Sequence, residues 1–73
     1  MHKYKIELVT TADVFDFVKI SSAEIGDVKL IDGTGFCVNG KSLLGAMAAV
    51  EWKTLYCITD NEFYTQIARF CVE

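Results

Sequence analysis

The sequence predicts a single small α+β domain, an open-faced β-sandwich in which three helices cover one face of a four-stranded antiparallel sheet. Three observations lead to this expectation. Strand-like and helix-like segments follow one another in the order β-α-β-β-α-β-α. The chain has 73 residues, which is enough for one domain at most, spanning residues 1–73. Its hydrophobic fraction of 52% is sufficient to fill a core, and it contains no proline and no linker-like stretch.

The first strand and the first helix are predicted by a change in hydrophobic period. Apolar and charged residues alternate over residues 3–8, which is typical of a strand with one buried face. Thr10 or Thr11 is placed to cap a helix, and Asp13 puts a negative charge in its first turn. Gly26 is the predicted end of this helix. Its buried stripe is expected to contain Val14, Phe17, Val18 and Ser21.

The second and third strands are predicted on either side of a turn. Val28–Ile31 has the alternation of a strand, and Asp32–Gly35 is rich in turn-forming residues. Phe36–Val38 should therefore be the returning strand. Asn39-Gly40 then interrupts it.

The last three elements are predicted from caps and periodicity. Ser42 is placed to cap a short helix over Leu43–Ala49, and a fourth strand is expected over Thr54–Ile58. Thr59–Glu62 has the spacing of a capping box, in which threonine and glutamate each satisfy an N–H group at a helix start. The buried stripe of the final helix should contain Phe63, Ile67, Phe70 and Cys71.

The residues that lead into the second helix resemble a known family. The pattern Val-Asn-x-Lys-Ser-aliphatic-aliphatic-Gly-x-Met is similar to the corresponding segment of HPr, the histidine-containing phosphocarrier of the bacterial sugar phosphotransferase system. The matching residues are Val38, Asn39, Lys41, Ser42, Leu43, Leu44, Gly45 and Met47. The resemblance implies an HPr-like fold over the whole chain, because the predicted order of elements is also that of the family.

The residue that carries the phosphoryl group in this family is missing. HPr uses a histidine at the start of the first helix, followed two residues later by an arginine. Counting back from the second strand places Thr10 at the histidine position, or Thr11 if the helix starts one residue later, and Ala12 or Asp13 at the arginine position. Threonine cannot form the labile N–P bond, and the single histidine, His2, lies before the first strand. We therefore expect a degenerate acceptor position and no enzymatic activity.

The resemblance also implies two roles for the second helix. In the low-GC Gram-positive branch of the family, the serine that matches Ser42 is the target of a regulatory kinase, and Lys41 would flank the phosphate. The alternative is that Ser42 is only a helix cap. Leu43, Leu44 and Met47 correspond to apolar residues that family members present to protein partners, although core packing would equally require some of them to be buried.

Three hypotheses about function follow from these features. The leading hypothesis is a non-catalytic HPr-like module that binds or regulates proteins through its second helix. The competing hypothesis is a functional phosphocarrier that uses an atypical acceptor or is regulated by phosphorylation at Ser42. A third is a structural domain whose role has drifted entirely.

Composition argues against several other classes of function. The net charge is −3 and charges of both signs are scattered along the chain, which argues against nucleic acid as a partner. The sequence has no apolar run of membrane-spanning length and no apolar signal core, so a cytoplasmic location is expected. Cys37, Cys57 and Cys71 are widely spaced and form no C-x-x-C pair. We expect them to be reduced, small apolar residues, with no metal and no cofactor bound.

Overall fold

The computed structural model describes residues 1–72 and contains the predicted elements in the predicted order. The strands are arranged β1-β4-β2-β3, and each neighbouring pair is antiparallel. The small α+β domain with a four-stranded antiparallel sheet and three helices is therefore confirmed. The elements are β1 (His2–Ile6), α1 (Thr11–Ser22), β2 (Val28–Ile31), β3 (Cys37–Asn39), α2 (Leu43–Ala49), β4 (Leu55–Thr59) and α3 (Tyr64–Ile67), followed by a 3₁₀ turn at Ala68–Phe70.

All three helices cover the same face of the sheet. Strand register places Tyr4 opposite Cys57, and Cys57 opposite Leu30, so these side chains share one face. The buried residues of the strands fall on this set of alternate positions, and the helices contribute to the same cluster. The core consists of Ile6, Leu8, Val14, Phe17, Val28, Leu30, Ala46, Ala49, Leu55, Cys57, Phe63, Ile67 and Phe70.

The first helix is shorter than predicted. It ends at Ser22, four residues before Gly26. The backbone N–H groups of Ala23 and Glu24 donate to carbonyls only three residues back, which tightens the last turn and closes the helix. Gly26 instead lies in the loop that leads to β2, where it adopts a φ of +96° that favours glycine.

The β2–β3 turn is organised by one aspartate. The carboxylate of Asp32 accepts hydrogen bonds from the backbone N–H groups of Thr34, Gly35 and Phe36 and from the Thr34 hydroxyl. These bonds hold the pKa of Asp32 below its ordinary value, and the Thr34 hydroxyl makes the largest contribution. Because the N–H of Phe36 belongs to the turn, β3 begins at Cys37, one residue later than predicted.

The predicted capping box before α3 is wrong. Thr59 is the last residue of β4, where it pairs with both His2 and Val28, and its hydroxyl donates to the Asn61 carbonyl. Pairing on both sides of the strand outweighs the local cap. The helix starts at Tyr64 and has no side-chain cap at Phe63. The backbone N–H of Phe63 donates instead to the Tyr4 hydroxyl at 3.0 Å, so a tertiary contact holds this helix start.

The three cysteines have different environments. Cys57 is fully buried, and burial raises the pKa of its thiol to about 12, so it is protonated at neutral pH. Cys71 is half-buried and follows the last helical turn, pairing with Ile6 as an isolated bridge rather than belonging to the final helix stripe. Cys37 is exposed on β3. Cys57 therefore packs in the core as the small apolar residue that the sequence predicts.

We predict that Gly40→Ala destabilises the domain by about 1–3 kcal/mol, the range for overpacking a tight site. The N–H of Gly40 donates to the Val28 carbonyl at 2.7 Å, and an added Cβ would lie 2.7 Å from Val28 Cγ1. Urea unfolding at neutral pH measures the effect. Gly35→Ala is the comparison for backbone strain without a clash, because no atom lies within 4 Å there and only its φ of +133° opposes a side chain. The steric explanation fails if Gly40→Ala costs less than about 1 kcal/mol.

Candidate functional site

The second helix begins with a cap that its own motif supplies. The Ser42 Oγ accepts a hydrogen bond from the Gly45 N–H at 3.3 Å, and α2 spans the predicted residues 43–49. The turn before it is closed by Asn39, whose side-chain oxygen accepts from the Lys41 N–H and whose carbonyl accepts from the Ser42 N–H. The predicted capping role of Ser42 is confirmed.

The second helix buries two alanines and leaves its large apolar residues exposed. Ala46 and Ala49 are fully buried, whereas Leu43, Leu44 and Met47 are 38%, 83% and 43% exposed. We call these three exposed residues the α2 surface. A helix that served only to cover the sheet would be expected to bury its large apolar residues, because their burial stabilises the fold most.

Gly45 explains how the helix packs with its small side. A Cβ at this position would lie 3.1 Å from the Asn39 carbonyl oxygen and 3.3 Å from Val38 Cβ. The helix therefore approaches β3 so closely that a larger side chain at Gly45 would force it away. The close approach leaves room for alanine, but not leucine, on the inward side.

Two aromatic side chains add apolar surface beside the C-terminal end of the same helix. Phe36, just before β3, is 68% exposed and stacks on Trp52, just after α2, with ring centroids 6.3 Å apart. Sequence reasoning assigned Phe36 to a strand and missed its exposure. Its position between a turn glycine and the edge strand was the available signal, because edge positions beside a turn are rarely covered.

Lys41 is engaged within the domain. Its ammonium donates to the Glu24 carbonyl at 2.7 Å and is partly buried. This bond ties the loop after α1 to the turn before α2. The predicted contact between Lys41 and a partner is not tested by this bond. The bond directs the ammonium group toward the backbone of the protein itself.

The start of the first helix is closed by a complete capping box. Thr10 is the N-cap, and its hydroxyl accepts from the Asp13 N–H at 3.1 Å. The Asp13 carboxylate accepts in return from the N–H groups of Val9 and Thr10 at 3.0 and 3.3 Å. The capping role predicted for this threonine is confirmed, and Thr11 is the exposed first residue of the helix.

An arginine from the other end of the chain lies beside this helix start. Arg69 places its guanidinium 3.3 Å from Asp13 and 3.1 Å from Asp16. The hydrogen bonds from Val9 and Thr10, with a smaller contribution from Arg69, hold the pKa of Asp13 below its usual 3.8. Sequence reasoning missed Arg69, because no local spacing relates residues this far apart in the chain.

His2 lies in β1, at the end of this strand that is remote from α1. Its ring is half-buried and stacks on Tyr4 with centroids 6.3 Å apart. It is therefore separated from the Thr10–Asp13 helix start by the length of the strand and the segment that follows it. The structure does not bring the histidine to the position where the family pattern has one.

The fold and the site together define a small α+β protein with an exposed apolar helix surface and a self-capped first helix. Within residues 1–72, no three His, Cys, Asp or Glu side chains are grouped as a metal ion would require. No helix in that part of the chain is long and apolar enough to cross a membrane. Comparisons with protein-family models, curated proteins and solved structures find no match. Membership of the HPr family therefore stays a prediction from the sequence.

We predict that Asp13 contributes stability that acid removes. Because folding lowers the pKa of Asp13, its contribution is complete above the ordinary value of 3.8 and is lost as pH falls through the folded-state pKa. Asp13→Asn should therefore lose less stability than the wild type between about pH 5 and about pH 2. Urea unfolding across this range measures the difference.

The control for this prediction is Asp16→Asn. It removes the other carboxylate beside Arg69 but no hydrogen bond to the backbone. It should retain the acid dependence of the wild type. Parallel pH profiles for Asp13→Asn and the wild type would contradict the assignment.

Proposed function

We propose that this protein is a non-catalytic, HPr-like regulatory module that binds protein partners through the α2 surface. The observation that carries the proposal is the orientation of α2, with Ala46 and Ala49 inward and two leucines and a methionine outward. The order of elements and the pattern over residues 38–47 support the HPr resemblance. The proposed site combines the predicted partner contacts Lys41, Leu43, Leu44 and Met47.

The α2 surface has the geometry of a contiguous docking patch. Leu43 and Met47 are four residues apart and Leu44 and Met47 are three apart, so all three are neighbours on the helix surface. Burying Leu44 against a partner would contribute up to about 1.5–3 kcal/mol, and Leu43 and Met47, which are already more than half buried, would each contribute less. Methionine is flexible and adapts to different apolar surfaces. The matching partner surface is an apolar patch or groove of another protein.

The start of α1 supports binding without phosphoryl transfer. The side chains available there are the hydroxyls of Thr10 and Thr11, which cannot carry a phosphoramidate. The Asp13 carboxylate lies within the capping box, where it would repel an incoming phosphate. Arg69, the nearby cation, is already paired with two carboxylates. The carboxylates of Asp13 and Asp16 would therefore repel a phosphate or another anion at this helix start.

The alternative is a functional phosphocarrier that uses an atypical acceptor or is regulated by phosphorylation at Ser42. A specific observation favours only the phosphorylation of Ser42. Ser42 is half-exposed at the start of α2, immediately before Leu43 and Leu44. A phosphate on its Oγ would place negative charge directly beside the α2 surface and would replace the present cap. Phosphorylation would then change partner binding without any phosphoryl transfer to sugar.

We predict that Leu44→Asp weakens partner binding at least about tenfold while leaving the domain folded. A tagged wild-type protein identifies the partner by mass spectrometry after a pull-down from the source cell. Calorimetry with the purified partner then measures the dissociation constant of each variant. Met47→Asp should have the same effect.

Ile25→Asp is the matched control, because Ile25 is 84% exposed and Leu44 is 83% exposed. The control should retain wild-type binding, and each variant should unfold within about 0.5 kcal/mol of the wild type. If Leu44→Asp instead lowers the free energy of unfolding by several kcal/mol, Leu44 is a structural residue. Undiminished binding by a folded Leu44→Asp variant would also defeat the proposal.

We predict that the protein gains no phosphoramidate when it is incubated with phosphoenolpyruvate and the first enzyme of the sugar phosphotransferase chain. The reason is the absence of an imidazole at the start of α1. The measurement is radiolabel that is stable in base and labile in acid, which distinguishes phosphohistidine from phosphoserine. Such a label on both the wild type and His2→Ala would show an unexpected acceptor; loss of the label in His2→Ala would identify His2 itself.

A further inference from the structure

The face of the sheet opposite the helices carries a distinctive set of side chains. Register places Lys3, Ile58 and Lys29 in one row across β1, β4 and β2. Lys5, Tyr56 and Ile31 form the next row. We call these six residues the open face. They alternate with the core residues of the same strands and contribute no member to the buried cluster.

The charge on the open face has one sign. None of the four strands contains an aspartate or glutamate, whereas three of the seven Lys and Arg residues of the chain lie on this face. Within residues 1–72 every aspartate and glutamate lies outside the strands, and Glu7, two residues after Lys5, lies at the end of this face. The fold therefore brings together on one face three lysines that are scattered in the sequence.

The centre of the open face is apolar. Ile31, Tyr56 and Ile58 are half-buried. Tyr56 and Ile58 lie on β4 between the lysines of β1 and Lys29, and Ile31 lies on β2 two residues after Lys29. The Lys3 ammonium is 4.4 Å from the centroid of the Tyr56 ring. An apolar centre with charged groups around it is the usual arrangement of a protein-binding surface.

We propose that the open face binds an acidic segment of a polypeptide that also carries apolar side chains. Its carboxylates would pair with Lys3, Lys5 and Lys29, and its apolar side chains would cover Ile31 and Ile58. From β1 to β2 the face spans two strand spacings, about 10 Å, which is the length of about three extended residues. A short segment is therefore sufficient. This surface lies on the sheet, so it is separate from the α2 surface and does not depend on the function proposed for it.

The side chains favour a polypeptide over a single-stranded nucleic acid. Proteins that hold single strands stack bases on exposed aromatic rings beside a track of positive charge. The aromatic residue of the open face, Tyr56, is already covered by Lys3, and the remaining apolar residues are aliphatic. An acidic, apolar peptide complements both the lysines and the isoleucines.

The test is an NMR titration of the ¹⁵N-labelled protein with a synthetic peptide of about twelve residues built from Glu-Glu-Leu-Phe repeats. The expected result is that amide shifts concentrate on the open face and that binding weakens as salt is added. A peptide with Gln in place of Glu should bind more weakly. Lys3→Glu and Lys29→Glu should each raise the dissociation constant about threefold or more, the scale of an exposed ion pair.

Lys19→Glu is the matched control, because it makes the same charge change at an exposed position on α1. It should leave the dissociation constant within about twofold of the wild type, as should Leu44→Asp. Absence of binding, or shifts that map to the α2 surface, would overturn the proposal. So would tighter binding of an oligothymidine of about fifteen nucleotides, or of vesicles with anionic headgroups, if Lys29→Glu weakened that binding.

Discussion

The pairing of β4 on both of its edges is the constraint on which the rest of the structure depends. This strand joins β1, near the start of the chain, to β2, and its inward residues Leu55, Cys57 and Thr59 are all buried. The demand for backbone pairing is strong enough to keep Thr59 in the strand, although its local sequence favours a helix cap. The start of α3 moves to Tyr64 as a result. The sheet then offers one face to the helices and leaves the other for the basic surface.

Local features were predictable because neighbouring residues in the chain supply them. The side chains of Thr10, Asp32 and Ser42 each accept a hydrogen bond from a backbone N–H group within four residues. The spacing of residue types in the sequence is therefore enough to predict them. Three contacts that join distant segments were not predictable: Arg69 with Asp13, Lys41 with the Glu24 carbonyl, and Tyr4 with the Phe63 N–H. The hydrophobic periodicity does not predict such pairs, because they depend on how the helices and strands pack against one another.

The two candidate surfaces show where sequence reasoning left alternatives open. In α2 the alanine stripe and the leucine–methionine stripe both have helical spacing, so the pattern alone does not tell which one faces the core. The close approach at Gly45 selects the alanines. Scattered charge was likewise a poor guide, since Lys3, Lys5 and Lys29 come together only when β1 and β2 lie on either side of β4. Both outcomes require knowledge of tertiary packing.

The segment after the last helical turn has a consequence for how this protein meets its neighbours. Residues 70–72 lie along β1, with hydrogen bonds from Glu7 to Phe70 and from Val72 to Lys5, and the strand at the other edge of the sheet has only three residues. Short or covered edges give another chain few consecutive N–H and C=O groups to pair with. Edge-to-edge aggregation is thereby disfavoured, even though the surface of the domain carries exposed leucine. Association with other proteins therefore depends on side-chain contacts. Side chains discriminate between partners, whereas backbone pairing at an open sheet edge does not.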